Sequence, residues 1–162
     1  MANSSRHPRG FTLIEMVVVM AVLAILAMIA LPSYLDRIVR EQVAEALPLA
    51  DLAKPAIAAA WRAKLPLPAD NAAAGLPDAN KIVNNVVASV AVQEGAIHIT
   101  FGNKANKALQ GKLLSVRPAV VDDTPLVPVT WLCGPAAAPK QMTAKGANLT
   151  NIPATLLPLR CR

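Results

Sequence analysis

Aromatic side chains make up only 3% of the 162 residues: two Phe, two Trp and one Tyr. That scarcity argues against a row of base-stacking platforms. Histidine and cysteine are just as rare, with His7 and His98 far apart and only Cys133 and Cys161, so no set of soft ligands has the spacing of a zinc site. No Gly-rich phosphate loop and no Gly-x-Ser-x-Gly elbow occurs. His98 stands in the alternating stretch AIHIT and is expected to face solvent or a polar neighbour rather than a nucleophile. These absences predict a non-enzyme with no metal and no cofactor. The 54% hydrophobic composition reflects one apolar run and many alanines, because no later run approaches eighteen residues.

The single apolar run extends from Phe11 to Leu31, with only Thr12 and Glu15 polar. As a helix rising about 1.5 Å per residue it would cross a hydrocarbon core of about 30 Å. Its many β-branched residues do not argue for a strand, since an open strand in lipid leaves its backbone polar groups unpaired. Arg6 and Arg9 precede it without an acid, which holds that end in the cytoplasm and sends the rest of the chain across; Arg37 and Arg40 weaken this bias. A secretory leader would lose its apolar core on cleavage. Here a small residue, Gly10, stands before the core, so cutting after it would remove the arginines and keep the helix.

Glu15 is an acid inside that run, and an ionised carboxylate at such depth is costly unless paired. Cleavage after Gly10 would free an α-amino group on Phe11, one helical turn away on the same chain or within reach from a neighbour. The carboxylate also lies near the positive end of the helix dipole. Alternatively it snorkels to the headgroups. Spacing does not separate the two.

GFTLIE, followed by an uninterrupted apolar helix and then by Pro32 and Tyr34, resembles the class III leader and N-terminal helix of type IV pilins. The resemblance implies cleavage after Gly10 by a membrane prepilin peptidase, N-methylation of Phe11, and use of Glu15 in assembly through the terminal amine of an adjacent subunit. It also implies a helix break at Pro32, although Ala24 stands where family members often have the glycine that marks the other end of a melted segment. The implied partners are other pilin subunits, the prepilin peptidase and the pilus assembly machinery. The implied location is the inner membrane before assembly and an extracellular pilus afterwards, serving adhesion, twitching motility and DNA uptake.

Beyond Pro32 the pattern becomes one-sided. Leu35, Val39, Val43, Ala46, Ala50, Ala53, Ile57 and Trp61 recur every three or four residues, which predicts an amphipathic helix to about Trp61, bent at Pro48 and Pro55. Residues 65–85 are rich in Pro, Asn, Asp and Gly and read as a loop. Strands are expected at 86–92 and 96–101, joined through Glu94-Gly95, and at 112–121 and 125–133. Pro118 and Pro128 place the last two at an edge or a bulge. The predicted fold is therefore α+β: a long N-terminal helix, membrane-spanning in its first half and amphipathic in its second, on a four-stranded antiparallel sheet. Its divisions are a leader at 1–10, a helix for the membrane and filament core at 11–32, and a head at 33–162.

Residues 134–162 carry four prolines and no period. Outside the cytoplasm Cys133 and Cys161 are expected to be bridged, closing a loop of about 29 residues for about 3–4 kcal/mol; two reduced cysteines is the alternative. Closure is expected to supply most of the ordering there. WLCG at 131–134 and the terminal CR resemble the edges of the pilin D-region, the surface loop bounded by a C-terminal disulfide. ITFGNKAN and DNAAAGLP resemble stretches of major-type pilins.

The formal charge is +6, with eight basic residues between Lys104 and Arg162 against Asp122 and Asp123. A solvated face, or one matching acidic patches between subunits, is the plainer reading. The rival is a DNA-binding minor pilin of the competence type, with Lys140, Lys145, Arg160 and Arg162 as its candidate phosphate contacts; a host-surface ligand and a secretion pseudopilin are further alternatives.

Overall fold

The computed structural model describes residues 10–162, so Arg6, His7 and Arg9 of the predicted leader lie outside the described residues. Helix α1 runs Leu13–Ala50 and α2 runs Lys54–Arg62. Helix α1 continues through Met28 and Pro32. The side chains of residues 11–30 are all exposed, as a lipid-facing or filament-facing surface requires.

Within residues 36–162 the amphipathic stripe is the core of the head. Val39, Val43, Ala46, Ala50, Ala53 and Ile57 are all buried. The bend falls between the two prolines rather than at them. Pro48 stays inside α1, and the helix closes with tightened bonds from the Asp51 amide to the Pro48 carbonyl and from Ala53 to Ala50, both 3.1 Å. Pro55 then sits in the first turn of α2, where its missing amide has no helical partner to lose.

Four antiparallel strands follow in the order β1-β2-β3-β4: Val87–Gln93, Ala96–Phe101, Leu113–Val120 and Thr130–Cys133. A two-residue strand β5, Thr143–Ala144, pairs with β3 at Ala119 and Val120. The β1–β2 turn places both Glu94 and Gly95 at positive φ (47° and 79°), the geometry that matches the right-handed twist of a hairpin. Predicted strand 125–133 shortens to Thr130–Cys133, because Pro125 and Pro128 bring no donors to a ladder. Pro118 is tolerated within β3, opposite Trp131.

Alternation sorts the sheet into two faces. Ile97, Ile99, Leu114, Val116 and Cys133 join the helical stripe in one apolar cluster. His98, Ser115, Arg117 and Leu132 share the other face, by register. The open edge of β1 is blunted by Asn71 of the preceding loop, whose Oδ1 accepts the Val92 amide at 2.6 Å while its Nδ2 donates to the Val90 carbonyl at 3.0 Å. One side chain thus stands in for a neighbouring strand.

Because Ile57 is fully buried whereas Leu126 is 92% exposed, Ile57→Ala is expected to cost about 2–5 kcal/mol and Leu126→Ala less than about 0.5. Urea unfolding of the detergent-solubilised chain, followed by circular dichroism, checks this.

Candidate assembly site

At the start of α1 the chain supplies its own partner for Glu15. The Thr12 amide and the Thr12 hydroxyl both donate to Glu15 Oε2 at 2.8 Å, and the Glu15 amide approaches Thr12 Oγ1 at 3.3 Å. This is the reciprocal capping box that Thr-x-x-Glu encodes. TLIE spells it out, and weighing Glu15 against an amine, the helix dipole and the headgroups missed it. Among the described residues Glu15 Oε1 makes no hydrogen bond. Glu15 lines a shallow groove on the helix with Phe11, Ile14, Val18 and Val19. The carboxylate is thus held toward the helix N-terminus with one oxygen satisfied and the other available.

Gly10 is exposed, has no left-handed φ, and a Cβ built on it meets nothing within 4 Å. Nothing within the described residues requires glycine there. Gly134 differs: it has φ +59°, and its Cβ would fall 2.9 Å from the Cys161 carbonyl. That tight approach sits beside the Cys133–Cys161 disulfide, which closes the C-terminal loop.

Residues 39–162 match the family model described as pilin, a bacterial filament protein, and residues 5–31 match the prokaryotic N-terminal methylation motif. The fimbrial protein EcpC of Eikenella corrodens is 38% identical over 143 residues, covering 86% of this chain and 91% of that protein. The type IV major pilin protein PilE1 of Neisseria gonorrhoeae is 36% identical over 160 residues, 95% of this chain and 87% of that one. A fimbrial protein of Neisseria meningitidis serogroup B is 33% identical over 163 residues, with 95% and 94% covered. The chain belongs to the type IV pilin family. It is a structural subunit that polymerises with other pilin subunits, not an enzyme.

In this pilin the C-terminal loop is better anchored than its prolines suggested. β4 ends at Cys133, and the β3 edge beyond it is completed by the returning chain. The Ser115 amide donates to Thr150 Oγ1 (3.0 Å), the Leu113 amide to Asn151 Oδ1 (2.7 Å), and the Asn151 amide to the Leu113 carbonyl (3.1 Å). Ile152, Leu157 and Cys161 are buried. Closure, expected from sequence to supply most of the ordering, is thus joined by Thr150 and Asn151, which finish the sheet edge.

The four basic candidates for phosphate contact are not brought together. Lys145 donates to Asp122 Oδ1 at 2.7 Å and lies over the Trp61 ring at 6.0 Å. The Arg162 guanidinium donates to the Leu157 and Thr155 carbonyls. Arg160 borders a cleft with Lys54, Asp51 and Trp131, whereas Lys140 lines a different groove beside Val127 and Met142. Lys54 in turn lies over Trp131 at 5.4 Å. Helix α2 thus gives a lysine to a sheet tryptophan and receives one from beyond β5, two cation–π contacts within the distance at which such pairs attract. Hydrogen bonds from Lys145 and Thr143 hold the Asp122 carboxyl below its ordinary range.

Two outcomes follow. Cys161→Ser should cost about 3–4 kcal/mol by loss of loop closure, yet leave the Leu149 and Asn151 amides protected in hydrogen exchange while residues 153–162 fray. Asp122 has its folded pKa below its unfolded value of 3.8, so its contribution is present above about pH 3.8 and lost as pH falls through the folded value. Acid titration should therefore release the Lys145 contact late, and Asp122→Asn should remove that pH dependence from Trp61 fluorescence.

Proposed function

We propose that this pilin is the principal subunit of a type IV pilus. In this reading it is inserted in the inner membrane with its leader in the cytoplasm and is cut after Gly10 by the prepilin peptidase. It is then methylated on Phe11 and polymerised by the assembly machinery into an extracellular filament serving adhesion and twitching motility. The observation that carries this reading is Glu15: it is the one ionisable side chain on an otherwise apolar exposed helix from Leu13 to Ala30, and among the described residues only its Oε2 is hydrogen-bonded, to Thr12 at the helix start. A terminal amine from a neighbouring subunit supplies the charge that such an acid needs in an apolar surround. Gly10, a small residue directly before the apolar run, supports the cleavage step. The relatives named as major pilins support the abundant rather than a minor role.

Helix breakage at Pro32 belongs to the same proposal. A proline inside a helix removes one amide donor and crowds the carbonyl one turn back, so the segment from about Met28 to Pro32 is where α1 yields most readily when subunits pack. DNA binding has less support, because Lys145 and Arg162 are already engaged within the head and Lys140 and Arg160 border separate clefts.

The mature subunit is expected to start at N-methylated Phe11; a mass retaining residues 1–10 in cells with an active prepilin peptidase refutes this. Glu15→Ala should leave insertion and cleavage intact and lower the yield of sheared filaments. Undiminished yield would show that the pairing is dispensable. The head should bind duplex DNA no more tightly than the non-specific range of about 10⁻⁴–10⁻⁶ M near physiological salt.

A further inference from the structure

The segment from Thr143 to Asn151 is a strap across the outer face of the sheet. It begins as β5 on one side of β3, where the Lys145 amide donates to the Pro118 carbonyl at 2.8 Å, and ends on the other side, where Asn151 pairs with Leu113. Between these points it presses close. Gly146 has φ +76°, and a Cβ there would fall 2.6 Å from the Ala96 Cβ. At its centre the Leu149 amide donates to Ser115 Oγ at 2.8 Å.

Ser115 is fully buried and its hydroxyl has a second partner, His98 Nδ1 at 2.9 Å. His98 is 4% exposed, and its Nε2 is buried with no hydrogen-bond partner. The neutral ring fits this site, leaving Nδ1 and the hydroxyl to share one proton. The imidazolium does not fit. Protonation puts a full charge on this buried ring: Nδ1 turns from acceptor to donor toward Ser115 Oγ, and Nε2–H, unmatched in the neutral ring as well, then carries part of that charge with no acceptor.

No neighbouring charge offsets this. Strand β1 has no ionisable side chain, β2 has only His98, β3 contributes Arg117 on the same face, and the strap contributes Lys145. Both are cations; Lys145 is committed to Asp122, and Arg117 reaches the Gly134 carbonyl at 3.3 Å.

We propose that the His98–Ser115 pair is an acid-sensitive fastening for the 143–151 strap: the strap lies closed over neutral His98, and protonation of the ring favours the lifted strap while the Cys133–Cys161 disulfide keeps the loop tethered. The device would change the exposed surface of the head in mildly acidic surroundings without parting the chain. Burial depresses the His98 pKa below its ordinary 6.5 in the closed state, and lifting restores it. Opening therefore takes up one proton in the window from about pH 6.5 down to the depressed value, and is favoured as pH falls through that window. Below the window it gains no more. Within it the opening constant rises by up to about tenfold per pH unit.

The test is hydrogen exchange with mass spectrometry on the full chain in detergent micelles at pH 7.5, 6.5 and 5.5, with rates corrected for intrinsic pH dependence. The expected result is increased exchange at Lys145–Asn151 on acidification, while β1, β2 and the 36–50 part of α1 stay protected, and loss of this pH dependence in His98→Gln. Should that variant fold poorly, the ring signal of His98 in the unaltered chain gives the same information, with His7 assigned by His7→Asn: the proposal requires titration of His98 below 6.5, coincident with strap exposure. Unchanged protection of the strap down to pH 5.5, an equal rise in folded His98→Gln, or a His98 signal that titrates without strap exposure would overturn it.

Discussion

Everything in the head depends on how closely the second half of the long helix can approach the sheet. The stripe that makes this contact is Val39, Val43, Ala46, Ala50, Ala53 and Ile57, all buried, and half of it is alanine. Small side chains bring the helix axis near the strands, so the sheet meets it with larger ones, Ile97, Ile99, Phe101 and Leu114. The interior is filled by pairing small with large rather than by large residues on both sides, as close packing requires. Widening any alanine in the stripe would crowd the one buried cluster that it shares with β1 to β4.

This contact also explains why the other face of the sheet carries so much polar chemistry. The helix buries one face only, and β2 and β3 are buried on both. The second cover is a chain segment with few large apolar residues, and it is held by amide and hydroxyl contacts to Ser115, Leu113 and Pro118. Buried polar groups of this kind must all be matched to be stable. His98 Nε2 and Arg117 Nε are the side-chain atoms on this face that remain buried and unmatched among the described residues.

What the sequence disclosed follows the same division. The apolar run, the amphipathic stripe and strand AIHITF were legible because each is a periodic pattern in one residue class. The shortening of the last long strand to Thr130–Cys133 was signalled by Pro125 and Pro128. The sheet-completing roles of Asn71, Thr150 and Asn151 were not legible, since a polar side chain that replaces a strand looks in sequence like any loop residue. The Thr12–Glu15 box was legible in principle and was obscured by its surroundings: a capping signature is read at the start of a helix in water, and here it opens a helix whose next fifteen side chains, 16–30, are all apolar and exposed.

That juxtaposition bears on how an acid is tolerated in an apolar helix. A free carboxylate there needs a full countercharge, but one that already accepts two hydrogen bonds from Thr12 carries part of its stabilisation within its own first turn. The remaining need is smaller and directional, confined to the oxygen that Thr12 leaves open. On the function proposed above, a subunit so arranged would wait in the membrane without a partner, and a neighbour that brought an amine to the other oxygen would be favoured over one that brought only apolar surface. On that proposal, selectivity between a matched and an unmatched neighbour would come from how the chain folds its first helical turn, where Thr12 already holds one carboxylate oxygen.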